Sequence, residues 1–130
     1  RIEEASKART DFAFETTLSG RSYVRVIRKL RAVGYRIHMF YLWIPGPDLA
    51  LLRIRNRVQV GGHDVPARDV RRRYDRTLVN LFRLYRPLLD TLRVFDNATD
   101  EPRLIFEDEA GKIIVYDATV YEQLLHKVTQ

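Results

Sequence analysis

Cysteine is absent from the 130 residues, which excludes disulfides and thiolate zinc sites. Methionine and tryptophan occur once each. Histidine stands only at His38, His63 and His126, too sparse a set for a histidine metal site, so no metal ligands are assigned. Long apolar runs are also missing. The longest, Met39 to Ile44, is far short of the roughly 20 residues a membrane span needs. No signal peptide, repeat or low-complexity linker is visible. These absences exclude a disulfide scaffold and a membrane-spanning helix, and leave the cytoplasm as the default compartment. The first residue is Arg1 and the only methionine is Met39, so the chain is expected to continue a longer sequence upstream.

What is present is an ordinary globular composition, with 45% apolar and 31% charged residues, at a length that suits one domain over residues 1–130. Net charge is +6 and unevenly spread. Eleven arginines and no lysine lie between Arg53 and Arg93, whereas acids dominate after Val94. A basic middle of this kind points to a polyanionic ligand. Arginine in place of lysine favours phosphates on a small molecule, because its planar fork suits bidentate contacts.

Apolar spacing and turn residues give an element order. A helix is expected over 1–9, a strand over 11–15, and a helix over 20–33 that Ser19 could cap and Gly34 ends. The segment "RIHMFYLWI", residues 36–44, is nearly continuous apolar sequence and reads as a strand buried on both faces. Helices follow over 47–60 and 67–85, separated by the loop "GGHDVP". A strand over 92–96, a hairpin over 103–116 turning at Glu109-Ala110-Gly111, and a helix over 118–127 complete the chain. Alternating strands and helices argue for an α/β fold: a parallel sheet flanked by helices, with a C-terminal β-hairpin and helix.

In a parallel sheet, ligands sit beyond the carboxyl ends of the strands. The stretch "DFAFETTLSG" ends its apolar run in Glu15, Thr16, Thr17 and Ser19, a polar cluster where such a ligand would lie. Capping of the next helix is the competing reading. On the helix from Ala67, residues Val70, Tyr74, Leu78, Leu81 and Tyr85 share one side, and Arg72, Arg76 and Arg83 the other. Arg73 borders the apolar stripe, and Arg57 does the same on the preceding helix. A partly inward arginine must be paired, here with a carboxylate such as Asp69, or must meet an anion. Arg57 and Arg73 flank the glycine loop and could converge on one anion, as transition-state charge in phosphoryl transfer requires. His38 reads as a hydrogen-bonded core residue.

Four patterns, "FETTLSG", "GYRIHMFYLWIP", "RVQVGGHDVP" and "RRRY", make the segment from Asp11 to Asn97 resemble the zeta-toxin-like P-loop kinases. The resemblance implies a phosphate-binding loop after the first strand, Mg-ATP as cofactor, and phosphorylation of a small-molecule hydroxyl. In the toxins proper the acceptor is a UDP-linked amino sugar. It also implies roles. Glu15 would be a catalytic carboxylate near substrate or Mg²⁺, with Thr16, Thr17, Ser19 and His63 contacting substrate. Arg57 and Arg73 would meet nucleotide phosphates as catalytic and cofactor-binding groups.

Nothing in the sequence matches G-x-x-x-x-G-K-[ST], whose backbone N–H groups and lysine hold the phosphates. The family's catalytic aspartate also precedes the matching region. The chain therefore resembles the carboxy-terminal two thirds of such a kinase, expected to be inactive alone. An antitoxin protein and a second copy of the chain are candidate partners. The alternative is a nucleic-acid or partner-binding module using the basic middle helix. Nucleic acid is disfavoured because Tyr74, Phe82 and Tyr85 lie on the core side rather than among the arginines.

Overall fold

The computed structural model describes residues 11–14, 21–59 and 67–129. Glu15, Thr16, Thr17, Ser19, His63 and the helix expected over 1–9 lie outside the described residues, as does the side chain of Arg57. The element order is α1 (Ser22–Ala32), β1 (His38–Trp43), α2 (Pro47–Gln59) and α3 (Ala67–Asn80). A π-helical turn (Leu81–Tyr85) and a 3₁₀ turn (Arg86–Leu88) lead into β2 (Thr91–Asp96), β3 (Arg103–Glu109), β4 (Lys112–Val115) and α4 (Ala118–Thr129).

Among the described residues the result is an α/β fold with one four-stranded sheet in the order β1-β2-β3-β4. β1 and β2 run parallel, as expected, with Tyr41 opposite Val94 and Trp43 opposite Asp96. The hairpin joins the same sheet antiparallel to β2, so the sheet is mixed and only one of its pairs is parallel. The reason is the connection. α2 and α3 supply the long crossover a parallel pair needs, whereas the short links after β2 and β3 permit only antiparallel neighbours.

One face of the sheet carries the core. Trp43, Leu92, Val94, Ile105 and Phe106 pack there against Ile27 of α1, Leu78 of α3, Leu81 and Tyr85 of the π turn, and Leu124 and Val128 of α4. The spacing on α3 places Val70, Leu78, Leu81 and Tyr85 inward, as expected, and Arg72, Arg76 and Arg83 outward. α1 ends at Gly34, whose φ of +100° lets Tyr35 N–H reach Leu30 O at 3.0 Å.

Three sequence expectations are corrected. Residues 11–14 have no regular structure among the described residues. A strand exists only through its ladder, and no described strand pairs with them. Their rings pack locally instead, Phe12 on Tyr35 and Phe14 on Tyr23. β1 is not buried on both faces. It alternates, with Phe40 63% and Leu42 52% exposed, because the described helices cover only one side. His38 accordingly lies on the exposed face, its Nδ1 at 2.7 Å from Thr91 Oγ1.

Candidate functional site

The parallel pairing of β1 and β2 brings their carboxyl ends together, and the turns that leave them form one rim. Asn97 N–H donates to Trp43 O at 2.7 Å and locks the two ends in register. Beyond Trp43 the chain turns at Pro45-Gly46, where Gly46 takes φ +92°. The Tyr74 hydroxyl of α3 donates to Ile44 O at 2.7 Å and accepts from Gly46 N–H at 2.8 Å. One side chain thus clamps the entry of α2 to the face of α3.

α2 is tied to the other strand end as well. Arg53 donates to Ala98 O at 3.1 Å, directly past the end of β2. Arg57 follows Arg53 by one helical turn on α2. Asp96 closes β2 as a buried carboxylate, 7% exposed. Its oxygens accept from Ala98 N–H at 2.9 Å and from Arg103 at 3.3 Å, and Arg103 also lies 3.8 Å from Asp117. Asp96 is thereby committed to holding the loop after β2. Lys127 stands over the rings of Trp43 and Tyr74, at 5.9 and 5.4 Å from their centroids. Trp43 Nε1 is buried with no hydrogen-bond acceptor among the described residues. Tyr41, inward on β1, keeps its phenol protonated well above the usual tyrosine range, chiefly through burial and secondarily through Tyr74.

Among the expected site residues, Arg73 is the one whose side chain is described, and it is exposed. No described residue pairs with it. Asp69, its expected structural partner, bonds Arg72 instead at 3.2 Å. Arg73 sits at the border of the apolar stripe, and a long stem there reaches solvent without burying its charge. Arg71 bonds Asp48 at 3.4 Å across the α2–α3 pair, while Arg68 and Arg76 are exposed. Arg68, Arg71, Arg72, Arg73 and Arg76 are thus the solvent-facing part of the basic middle on α3, whereas Arg86 is largely buried against Asp108 and Arg93 pairs with Glu107 on the sheet. Among the described residues no group of three His, Asp or Glu could hold a metal ion.

Several residues of the rim escaped the sequence reading. Tyr74 was counted only as core, yet a tyrosine on an apolar stripe, where phenylalanine would pack equally well, signals a hydroxyl with a partner. Arg53 stands in the sequence only as the first of the eleven arginines. A cleft of about 340 Å³ between α1 and the π turn, lined by Arg21, Val24, Arg25, Arg28 and Leu84, was also not anticipated. Its three arginines recur at i, i+4 and i+7, a spacing that places them on one helix face.

Comparison with known proteins adds the family. No solved structure matches the chain. An uncharacterised protein of Haemophilus influenzae is 34% identical over 70 residues, which cover 54% of this chain and 50% of that protein. The match thus spans about half the length of that curated relative. Residues 1–120 match the family described as Zeta toxin, a wider stretch than the resembling motifs span, and the chain belongs to that family.

Proposed function

We propose that the chain supplies the strand-end rim and arginine-bearing lid of an ATP-dependent small-molecule kinase of zeta-toxin type. Phosphoryl transfer would run from Mg-ATP to a hydroxyl, with a nucleotide sugar as the acceptor class the family suggests. What carries the reading is the fixed stack at the parallel strand ends. Tyr74 and Arg53 hold α2 and α3 against the ends of β1 and β2, where ligands of parallel sheets bind. Arg57 and Arg73 then belong to helices seated beside that rim.

In this reading both guanidiniums neutralise phosphate charge as it develops in transfer, which is the larger part of catalysis in phosphoryl chemistry. Glu15 receives the hydroxyl proton or helps position Mg²⁺, with Thr16, Thr17, Ser19 and His63 contacting the acceptor. ATP is held chiefly by a loop of the form G-x-x-x-x-G-K-[ST], which residues 1–130 do not contain. The 130 residues alone are therefore expected to bind Mg-ATP too weakly for calorimetry to detect and to transfer no phosphoryl group. An antitoxin protein is the partner class that family membership suggests.

The test is calorimetric titration of the 130-residue chain with a non-hydrolysable ATP analogue, with and without Mg²⁺. Absence of binding is expected. Mg²⁺-dependent micromolar affinity would overturn the account of how the phosphates are held. A longer chain that supplies the loop should bind the analogue and phosphorylate an acceptor. In it, Arg57→Ala or Arg73→Ala should lower kcat by about 10²–10³-fold. Unchanged kcat in both variants would remove the arginines from the chemistry.

A further inference from the structure

The cleft between α1 and the π turn stands apart from the strand-end rim. Arg21, Val24, Arg25 and Arg28 line one side of it and Leu84 the other. None of the residues that build the rim, Arg53, Tyr74, Asp96 and Lys127, lines it. Its volume of about 340 Å³ falls within the range of small-molecule pockets.

Charge in the cleft is of one sign. From Arg21 to Ala32 the chain has no aspartate or glutamate. Arg21 and Arg25 are four positions apart, and Arg25 and Arg28 three apart, spacings at which like charges on a helix repel. Other described arginines answer such repulsion with a carboxylate. Arg31 of the same helix meets Asp90 at 3.2 Å, Arg72 meets Asp69 at 3.2 Å, and Arg86 meets Asp108 at 2.8 Å. No described residue pairs with the guanidiniums of Arg21, Arg25 or Arg28, and all three side chains are exposed. Between them the lining is aliphatic, with Val24 and Leu84 half-buried.

A ligand that suits both parts of this lining has an anionic head and an apolar body. A carboxylate brings one charge. A phosphate monoester brings up to two, with three strong acceptor oxygens, and the planar fork of arginine takes two of those oxygens at once. We infer that the cleft is a second anion site, which binds a phosphate monoester of a small apolar or aromatic alcohol. Arg25, in the middle of the row, holds the phosphate together with its neighbours Arg21 and Arg28. The ester group lies on Val24 and Leu84. The guanidiniums supply all the positive charge, so no Mg²⁺ is required. Exposed arginines in an open cleft are screened by solvent and lose side-chain freedom on binding, which sets the affinity near millimolar. That is far weaker than the micromolar, Mg²⁺-dependent binding that decides the kinase reading, so the two stand or fall separately.

The test is titration of the 130-residue chain with phenyl phosphate, followed by backbone amide NMR shifts at constant ionic strength. Saturating shifts are expected at Arg21, Val24, Arg25, Arg28 and Leu84, with a dissociation constant of roughly 1 mM. Arg25→Ala and Arg28→Ala should each raise that constant about threefold or more. Arg76→Ala removes the same charge from an exposed position on α3 and should leave it unchanged. Leu84→Ala should weaken phenyl phosphate and leave inorganic phosphate unaffected. Thermal unfolding checks that each variant is folded. Shifts that never saturate, or that spread evenly over the exposed arginines of α3, would overturn the inference. So would an Arg28→Ala chain that binds as well as wild type, an Arg76→Ala chain that loses as much, or equal affinity for phenyl phosphate and inorganic phosphate.

Discussion

On the open face of the sheet, Glu107 accepts from the Tyr116 hydroxyl at 2.8 Å and from Arg93 at 3.1 Å. The Tyr116 hydrogen bond and then Arg93 hold the Glu107 carboxyl below its ordinary value. The same bond raises the Tyr116 phenol above its usual value of about 10. The two signs differ. The contribution of Glu107 is present above the ordinary carboxylate range and is lost as pH falls through the lowered value. That of Tyr116 is present below the ordinary phenol value and is lost as pH rises through the raised one. Glu107→Gln should therefore move one phenolic titration step, followed by ultraviolet absorbance, down toward pH 10. Tyr116→Phe should remove that step, and an unmoved step in Glu107→Gln would dissolve the link.

Asp108 carries more stability than the surface pairs. It meets Arg86 at 2.8 Å with both side chains largely buried, and its second oxygen accepts from Gly111 N–H at 2.9 Å. Arg86 also lies over the rings of Phe82 and Phe106 at 5.3 and 5.4 Å. Asp108→Ala leaves a guanidinium among aromatic rings without its anion and should cost about 2–4 kcal/mol in urea unfolding. Asp48→Ala breaks only the exposed pair to Arg71 and should stay within about 0.5 kcal/mol of wild type.

Among the elements, the β3–β4 hairpin turns through Ala110 at φ +51° and Gly111 at φ +92°. An alanine in the left-handed region is strained, so Ala110→Gly should stabilise by about 0.5–1 kcal/mol in thermal unfolding. Gly111→Ala should destabilise, although nothing stands within 4 Å of the added carbon, because the backbone conformation itself opposes a side chain. The Tyr74 clamp belongs to this scale too. Tyr74→Phe leaves Gly46 N–H and Ile44 O without their described partner and should cost about 1–3 kcal/mol by urea melt. Loss of less than about 0.5 kcal/mol would mean that water replaces the hydroxyl at no cost.

Element type was mostly legible because it is local. Helical spacing fixed α1, α3 and α4, Pro45 and Pro47 stand just past the end of β1, and glycines ended α1 and turned the hairpin. The apolar run of β1 misled because its residues say how apolar the strand is and nothing about which layers cover it. The strand expected at 11–15 was read from composition, while a strand is defined by a neighbour. The α3 pattern was read correctly through Tyr85, yet the helix widens into a π turn at Leu81. Pro87, two residues beyond Tyr85, lacks the N–H that would continue a regular ladder.

At the scale of the molecule, family and fold class were both legible, through motifs and through alternation of strands and helices. The site was legible in kind only. Residue type singled out arginines beside a glycine loop, but their convergence depends on how two helices seat on two strand ends. The prediction at this scale concerns binding: the 130 residues alone give no detectable calorimetric signal with Mg-ATP.

The sequence by itself determined the family, the helices and their inward faces, the basic middle and the hairpin turn, because each depends on residues near one another along the chain. The tertiary structure alone decided that the hairpin joins the parallel pair in one mixed sheet and that, among the described residues, the helices cover one face of it. It alone decided, too, that Tyr74 and Arg53 fix the rim and that Arg73 faces solvent. Those are contacts between residues some 20 to 60 positions apart, and which of them form is settled only when the whole core closes.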